Sequence, residues 1–382
     1  MDLGRKPLNQ YGSLAPFIQQ LHDRRPLGLS SERWREANPH GSFTDWREQA
    51  QQCLRNGLHY DAGPLNLAPE TIEVRETDDF VCERIVFNTT PWFRVPGYFY
   101  VPKNVPLPAP ALVVFHEWGG PMLFGAERVC GEPVHPVIVE HRNTYTSGRA
   151  LADWYAAHGY CVIVIDAYHF GHRAPRALGG VPAEYDPRTM SLEELATTEA
   201  LVRDQLYLGV RHLNWAGTTW CGVNFADDSR CVDYLLSRPE VDGQRLGCTG
   251  LSGGGWRTNI MAALEDRIQA AVSVGWMTTG ETQQRYNVAG AIGTFCLLPG
   301  VWDQLDIPDL IAMAAPKACM VVSCTQDPLF PPKGQRDGAA HIAAAYDWAG
   351  CPERYHDLAP DKPHCYDAEI QEAALAWFAG NL

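Results

Sequence analysis

The stretch RLGCTGLSGGG, residues 245–255, carries the pattern from which the rest of the chain can be read. Its first seven residues form a short, mostly apolar run of the kind that suits a strand buried on both faces of a sheet. A serine between glycines follows at once, and residues 256–264 continue with a helical pattern. In Gly250-Leu251-Ser252-Gly253-Gly254 the serine sits where a strand turns sharply into a helix. Such a turn strains the serine backbone and leaves no room for side chains at the flanking positions, which explains the glycines. It also exposes the serine Oγ and aims the start of the helix at developing negative charge. Ser252 is therefore the candidate nucleophile and the Gly253 N–H a candidate oxyanion donor. A phosphate-binding loop would use glycines similarly, but no Lys follows in the position that loop requires.

Working outward, residues 80–87 and 97–101 alternate or cluster β-branched and aromatic residues as strands do. A Pro-rich connection, 102–110, leads to ALVVFH (111–116), and further short apolar runs follow: CVIVID (161–166), AAVSV (270–274) and ACMVVS (318–323). A last strand is expected at 354–358. Helical patterns fall between them, at 148–158, 229–237, 256–264, 341–349 and 367–379. Strand and helix in alternation predict an α/β fold, a doubly wound, mostly parallel sheet with helices on both faces. Ligands in that architecture bind at the carboxyl ends of the strands.

A serine hydroxyl becomes nucleophilic when a histidine accepts its proton, and that histidine needs an acid to fix its tautomer. With a serine on a strand-to-helix elbow the chain order is serine, acid, histidine. Three histidines follow Ser252. His341 falls in a helical pattern and His356 in the expected last strand, which leaves His364 in the loop DKPHCYD as the candidate base. Asp327 follows the run ACMVVS directly and is the candidate acid; Asp303, Asp306 and Asp309 lie in a region with weaker strand signal. After the strand ALVVF comes His116-Glu117-Trp118-Gly119-Gly120, a tight turn placed to give the second oxyanion N–H.

Composition sets limits on partners. The 382 residues carry a formal net charge of −14 and no run of Lys or Arg, so neither nucleic acid nor an anionic membrane surface is an expected partner. The start of the chain has no apolar run fit for a signal peptide and no stretch approaches a membrane span, which reads as cytoplasmic. None of the 12 cysteines forms a Cys-x-x-Cys pair, and most are expected to be buried, reduced thiols. His169 and His172 lack an acidic or thiol partner at metal spacing, so no metal is expected. Residues 1–75 are expected to form an N-terminal helical extension, with helices near 13–23 and 43–56, packing on the catalytic domain (76–382) or on a partner subunit. A loop-rich insertion near 127–147 and a helical segment near 191–215 are candidate caps.

Taken with Asp166 after CVIVI and the segment 227–251, these motifs resemble the dienelactone hydrolase-like and acetyl xylan esterase-like branch of the α/β-hydrolases. The resemblance covers about residues 75–382 and is most specific over 234–255. It implies that Trp118 offers the second oxyanion N–H, with His116 and Glu117 behind it. It also implies that Asp227 and Asp228 are structural, which suits an expected place at a helix N-terminus, and it makes a homo-oligomer one expected form. Dienelactone hydrolases use Cys as nucleophile; Ser252 in its place favours ordinary carboxylic esters over lactones. Aromatic and polar residues near strand ends, Glu117, Phe124, His169, Phe170, Trp256 and Trp276, are candidates to contact substrate. The expected activity is that of a cofactor-free serine carboxylesterase for small-acyl esters, acetyl esters of carbohydrates among them. A serine peptidase or amidase on the same fold and a non-catalytic binding protein are the alternatives.

Overall fold

In the computed structural model, residues 14–132, 135–286 and 292–382 are described. Nine strands form one sheet: β1 (Glu70–Glu76), β2 (Phe80–Asn88), β3 (Arg94–Pro102), β4 (Ala109–Phe115), β5 (Cys161–Ile165), β6 (Val241–Leu251), β7 (Ala270–Val274), β8 (Ala318–Val322) and β9 (Tyr355–Leu358). Their order is β1-β2-β3-β5-β4-β6-β7-β8-β9. The first three strands and the β3–β5 junction are antiparallel; from β5 through β9 every neighbouring pair is parallel.

The apolar runs explain this sheet. Every residue of β5, β7 and β8 is buried, and alternate residues serve opposite faces, as the two-residue period of a strand requires. Val113, Phe115, Ile163, Cys248 and Val321 pack into one layer. Leu112, Val114, Val162, Val272 and Met320 pack into the other. The expected doubly wound, mostly parallel sheet is present, with an antiparallel β1–β3 flank.

Helices cover both faces. α1 (Leu14–Asp23), α2 (Ser31–Ala37) and α3 (Phe43–Leu58) precede the sheet. α3 begins with a reciprocal cap between Ser42 and Asp45 and buries Trp46, Ala50, Leu54 and Leu58 in the first layer. Truncating a buried Trp46 would cost about 3–5 kcal/mol. Arg47, Gln51 and Arg55 on the same helix donate to the carbonyls of Met313, Ala263 and Leu264. These bonds tie α3 to the backbone at residues 263–264 and 313. Ser13, the first residue of the helix expected there, lies outside the described residues.

Four further helices follow: α4 (Pro136–Tyr145), α5 (Leu151–Ala157), α6 (Leu192–Trp215) and α7 (Trp220–Leu236). α8 (Gly253–Leu264), α9 (Gly280–Tyr286), α10 (Asp309–Ala312), α11 (Pro332–Trp348) and α12 (Ala368–Asn381) complete the chain. One expectation is corrected. Asp227 and Asp228 lie mid-way along α7, which starts earlier, capped by Thr219. They are buried there against arginines: Arg173 Nη1 stands 2.7 Å from Asp227, and Arg257 grips Asp228 at 2.6 and 2.9 Å. Buried carboxylates require such pairing, so their role is satisfied by ion pairs and not by the helix dipole. Among the described residues no helix is long and apolar enough to cross a membrane.

Candidate active site

Ser252 stands between β6 and α8 with φ 56° and ψ −117°, a conformation that costs a non-glycine residue free energy and persists because its surroundings enforce it. The enforcement is visible at the flanking glycines. A Cβ at Gly250 would lie 2.7 Å from the Phe115 carbonyl oxygen of β4, and one at Gly254 would lie 2.5 Å from the same atom. Only glycine lets strand and helix approach this closely, and the Ser252 N–H is held by the Val274 carbonyl at 2.8 Å.

The candidate acid and base lie on neighbouring loops. Asp327 follows β8, is 4% exposed, and accepts the Leu329 N–H at 2.8 Å through Oδ1. Its Oδ2 lies 2.5 Å from His364 Nδ1. That contact orients the ring and leaves Nε2 free to serve a nucleophile. Backbone bonds fasten the two loops together: Thr325 N–H to Pro360 O at 2.9 Å and Gln326 N–H to Lys362 O at 3.1 Å. His341 and His356 lie elsewhere. His341 pairs with Asp309 and Ser31, while His356 stacks on Trp377.

Ser252 and His364 line one cavity of about 220 Å³ together with Glu117, Trp118, Trp276 and other side chains. Its apolar lining includes Trp276, Ile292, Phe295, Leu329 and Phe330, and its polar lining includes Glu117, His141 and Tyr145. The Tyr145 ring stands edge-on to His364, 6.4 Å between centroids, and the His141 ring lies 4.9 Å from Tyr145. Gly253 and the Trp118 turn touch through their backbones, since a Cβ on Gly253 would lie 2.7 Å from Trp118 N. The two candidate oxyanion donors are therefore neighbours at the mouth of the elbow.

The turn that carries Trp118 is charged. Burial opposes ionisation of Glu117, yet His141, hydrogen-bonded through Nε2, and Arg128 hold its carboxyl well below the usual range. The His116 pKa is lowered as well, to about 3, by burial and by the charges of Arg128 and Arg257, which keeps the ring neutral. Its bonds agree with a neutral ring: Nε2 accepts the Ala167 N–H at 2.9 Å, so Nδ1 carries the proton and donates to Glu117 O at 2.9 Å.

Of the six residues expected to contact substrate, Glu117 and Trp276 line the Ser252 cavity. The other four do not. Phe170 packs edge-on behind Trp118 at 5.3 Å, and Phe124 lies against His135. His169 is buried with Nε2 on the Val202 carbonyl, and Trp256 packs tilted against Trp276, 4.8 Å between ring centroids, while bordering a second cavity of about 510 Å³. His172 lies with Glu127 and Asp166 in the one group of potential metal ligands among the described residues. The expectation that His172 lacks an acidic partner is thus corrected: Asp166 accepts from Ala126 N and His172 N and lies 3.2 Å from His172 Nδ1, Glu127 lies 3.9 Å from the same atom, and Arg84 meets His172 Nε2.

A mostly parallel sheet with a strained serine at the β6–α8 elbow, an Asp–His pair on the loops beyond it and the Trp118 turn packed against Gly253 is the arrangement of an α/β-hydrolase. The chain belongs to the Abhydrolase family, whose model matches residues 11–362. It is 22% identical over 315 residues to YtaP of Bacillus subtilis (strain 168), which bears the name of a hydrolase; the match covers 82% of this chain and 92% of that one. Among solved structures it is similar to a protein of Bacteroides fragilis NCTC 9343 named for acetyl xylan esterase (TM-score 0.65, 15% identity, 94% of this chain and 84% of that one). It is also similar to a glucuronoyl esterase from Solibacter usitatus (TM-score 0.60, 16% identity, 92% and 93%).

Proposed function

We propose that the protein is a serine carboxylesterase that removes small acyl groups from polar alcohols, acetyl esters of carbohydrates being the substrate class of best fit. The observation that carries this reading is the cavity of about 220 Å³ shared by Ser252 and His364. It is smaller than the roughly 300–1,000 Å³ of sites that take drug-sized ligands, so only a short acyl chain is accommodated. The apolar lining of Trp276, Phe295, Leu329 and Phe330 suits that chain. Glu117, His141 and Tyr145 offer hydrogen bonds to a hydroxyl-rich alcohol, and Tyr145 stands beside His364, from which the leaving oxygen must take its proton. Structural neighbours named for carbohydrate ester cleavage support the same class.

In the reaction so proposed, Ser252 Oγ attacks the ester carbonyl carbon as its proton passes to His364 Nε2. Asp327 stabilises the imidazolium that results. The N–H groups of Gly253 and Trp118 hold the tetrahedral oxyanion, each donor contributing on the order of 3 kcal/mol. The C–O bond to the alcohol then breaks as His364 gives its proton to the leaving oxygen. Water, deprotonated by the same histidine, attacks the acyl-Ser252 carbonyl and releases the carboxylic acid with the free serine.

Hydrolysis of nitrophenyl esters from acetate to decanoate tests this. Acetate or butyrate preferred, with Ser252→Ala inactive, is the expected result. Preference for decanoate would overturn the small-acyl assignment, and an active Ser252→Ala variant would overturn the nucleophile.

A further inference from the structure

The oxyanion turn does not hold its own shape. Arg128, on a single helical turn (Ala126–Arg128), is 1% exposed and spends its guanidinium on main-chain carbonyls of the 117–124 segment. Nε donates to Phe124 O at 2.8 Å, Nη2 to Pro121 O at 2.9 Å, and Nη1 to Glu117 O at 2.7 Å and to Gly119 O. The Glu117 carboxylate is its nearest charge, 3.7 Å away. Burial lowers the Arg128 pKa, so the fold keeps this cation in place at a cost. A second buried arginine holds the first. Arg142 on α4 donates Nε to Arg128 O at 2.9 Å, Nη1 to Gly131 O at 2.7 Å, and Nη2 to Glu127 O and Cys130 O at 2.6 and 2.7 Å.

The target of these bonds matters. Glu117 C=O and Trp118 N–H belong to one trans peptide and point in opposite directions. Glu117 O is held by Arg128 Nη1 and His116 Nδ1 together, which fixes the rotation of this peptide plane, and Trp118 N lies beside Gly253. We propose that Arg128, braced by Arg142, is a positioning residue that presets the Trp118 oxyanion donor. Residues 127–131 and α4 then act together as a brace for the oxyanion hole. Arg128 also offsets the Glu117 carboxylate, which would otherwise repel an oxyanion forming in the same cavity. A planar fork with several fixed donors is needed for this task, and a lysine ammonium cannot replace it.

The inference rests on the serine esterase reading, and the test separates the two. Wild type, Arg128→Lys, Arg128→Met and Arg142→Lys are compared for kcat and KM on nitrophenyl acetate, affinity for a boronic acid that mimics the tetrahedral state, and melting temperature. In both Arg128 variants kcat is expected to fall about 10- to 100-fold with KM within about threefold, and boronate affinity to fall in parallel with kcat/KM. Arg142→Lys, which leaves the inner guanidinium in place, is expected to show the same signature at about 3- to 10-fold, and it decides the matter if the Arg128 variants do not fold. Full activity restored by Arg128→Lys would show that charge alone is required and overturn the positioning role. Loss of kcat with boronate affinity intact would overturn it as well. A wild type that neither turns over ester nor reacts with a fluorophosphonate at Ser252 would instead remove the esterase reading, and this inference with it.

Discussion

Gly253 and Trp118 lie so close that a single methyl group on Gly253 would sit 2.6 Å from the Trp118 Cβ and 2.7 Å from its backbone nitrogen. The glycine after Ser252 is thus required by the turn after β4 as much as by the helix it opens. Gly253→Ala must push the Trp118 peptide away and separate the two donors. The expected outcome is a fall in kcat of about 100-fold, equivalent to about 2.7 kcal/mol of transition-state stabilisation, with little change in KM. Steady-state kinetics on nitrophenyl acetate check this; a folded variant with wild-type kcat would place the oxyanion elsewhere.

Asp327 accepts the Leu329 N–H through one oxygen and faces His364 Nδ1 with the other. Asp327→Asn keeps the first bond and the shape of the loop but favours the wrong imidazole tautomer. kcat is expected to fall by about 10⁴, by analogy with the same substitution in a serine protease triad, while melting temperature changes little. A loss below about tenfold would leave His364 without need of this acid.

The N-terminal segment carries a pH-sensitive tie. His341 Nε2 meets Asp309 at 2.7 Å and Ser31 Oγ at 2.9 Å. Burial disfavours the charged ring, but the Asp309 carboxylate outweighs it and raises the His341 pKa above 6.5. A folded-state pKa above the unfolded value means that this stabilisation is present in full below about pH 6.5 and is lost as pH rises through the folded value. Melting scans from pH 5.5 upward should therefore show wild type losing its advantage over His341→Gln across that window. Parallel curves would remove the charge from the tie.

Leu329 is a half-buried member of the apolar lining, so trimming it disturbs the core less than cutting Trp276 or Phe330. Leu329→Ala should raise the ratio of butyrate or hexanoate to acetate turnover by about tenfold, because roughly 1–3 kcal/mol per methylene is at stake in such a pocket. An unchanged acyl profile would put the chain against another wall.

The central strands could be read from the sequence because they are buried on both faces and appear as unbroken apolar runs such as CVIVI and ACMVV. β1 could not. Its residues ETIEVRE are almost all exposed at the edge of the sheet, and their charges interrupt the apolar alternation by which a strand is recognised. α4 was hidden for a different reason: it buries His141 and Arg142 along with Ile138, leaving no apolar stripe to reveal a helix. α7 was placed too late because its first turns carry Gly222 and Asn224, although Thr219 is a capping signal.

At the site, Ser252, Asp327, His364, Trp118 and Gly253 share a local signature, each lying just after a strand or at its elbow, and the structure gathers them. Phe124, Phe170 and His169 have similar sequence positions but face other neighbours, since position after a strand does not fix which way a side chain turns. Arg128, His141 and Tyr145 carry no local signal at all. Their importance lies in carbonyls and rings that only the folded chain brings near.

The most direct test of the account is to trap the acyl-enzyme. Wild type mixed with excess nitrophenyl acetate, acid-quenched within the first turnovers and digested should yield the peptide spanning Ser252 with one acetyl group added at that serine. The Asp327→Asn variant should form the same adduct more slowly, and Ser252→Ala should form none. Acetyl recovered on another residue, or turnover that persists in Ser252→Ala, would contradict the assignment of Ser252 as nucleophile.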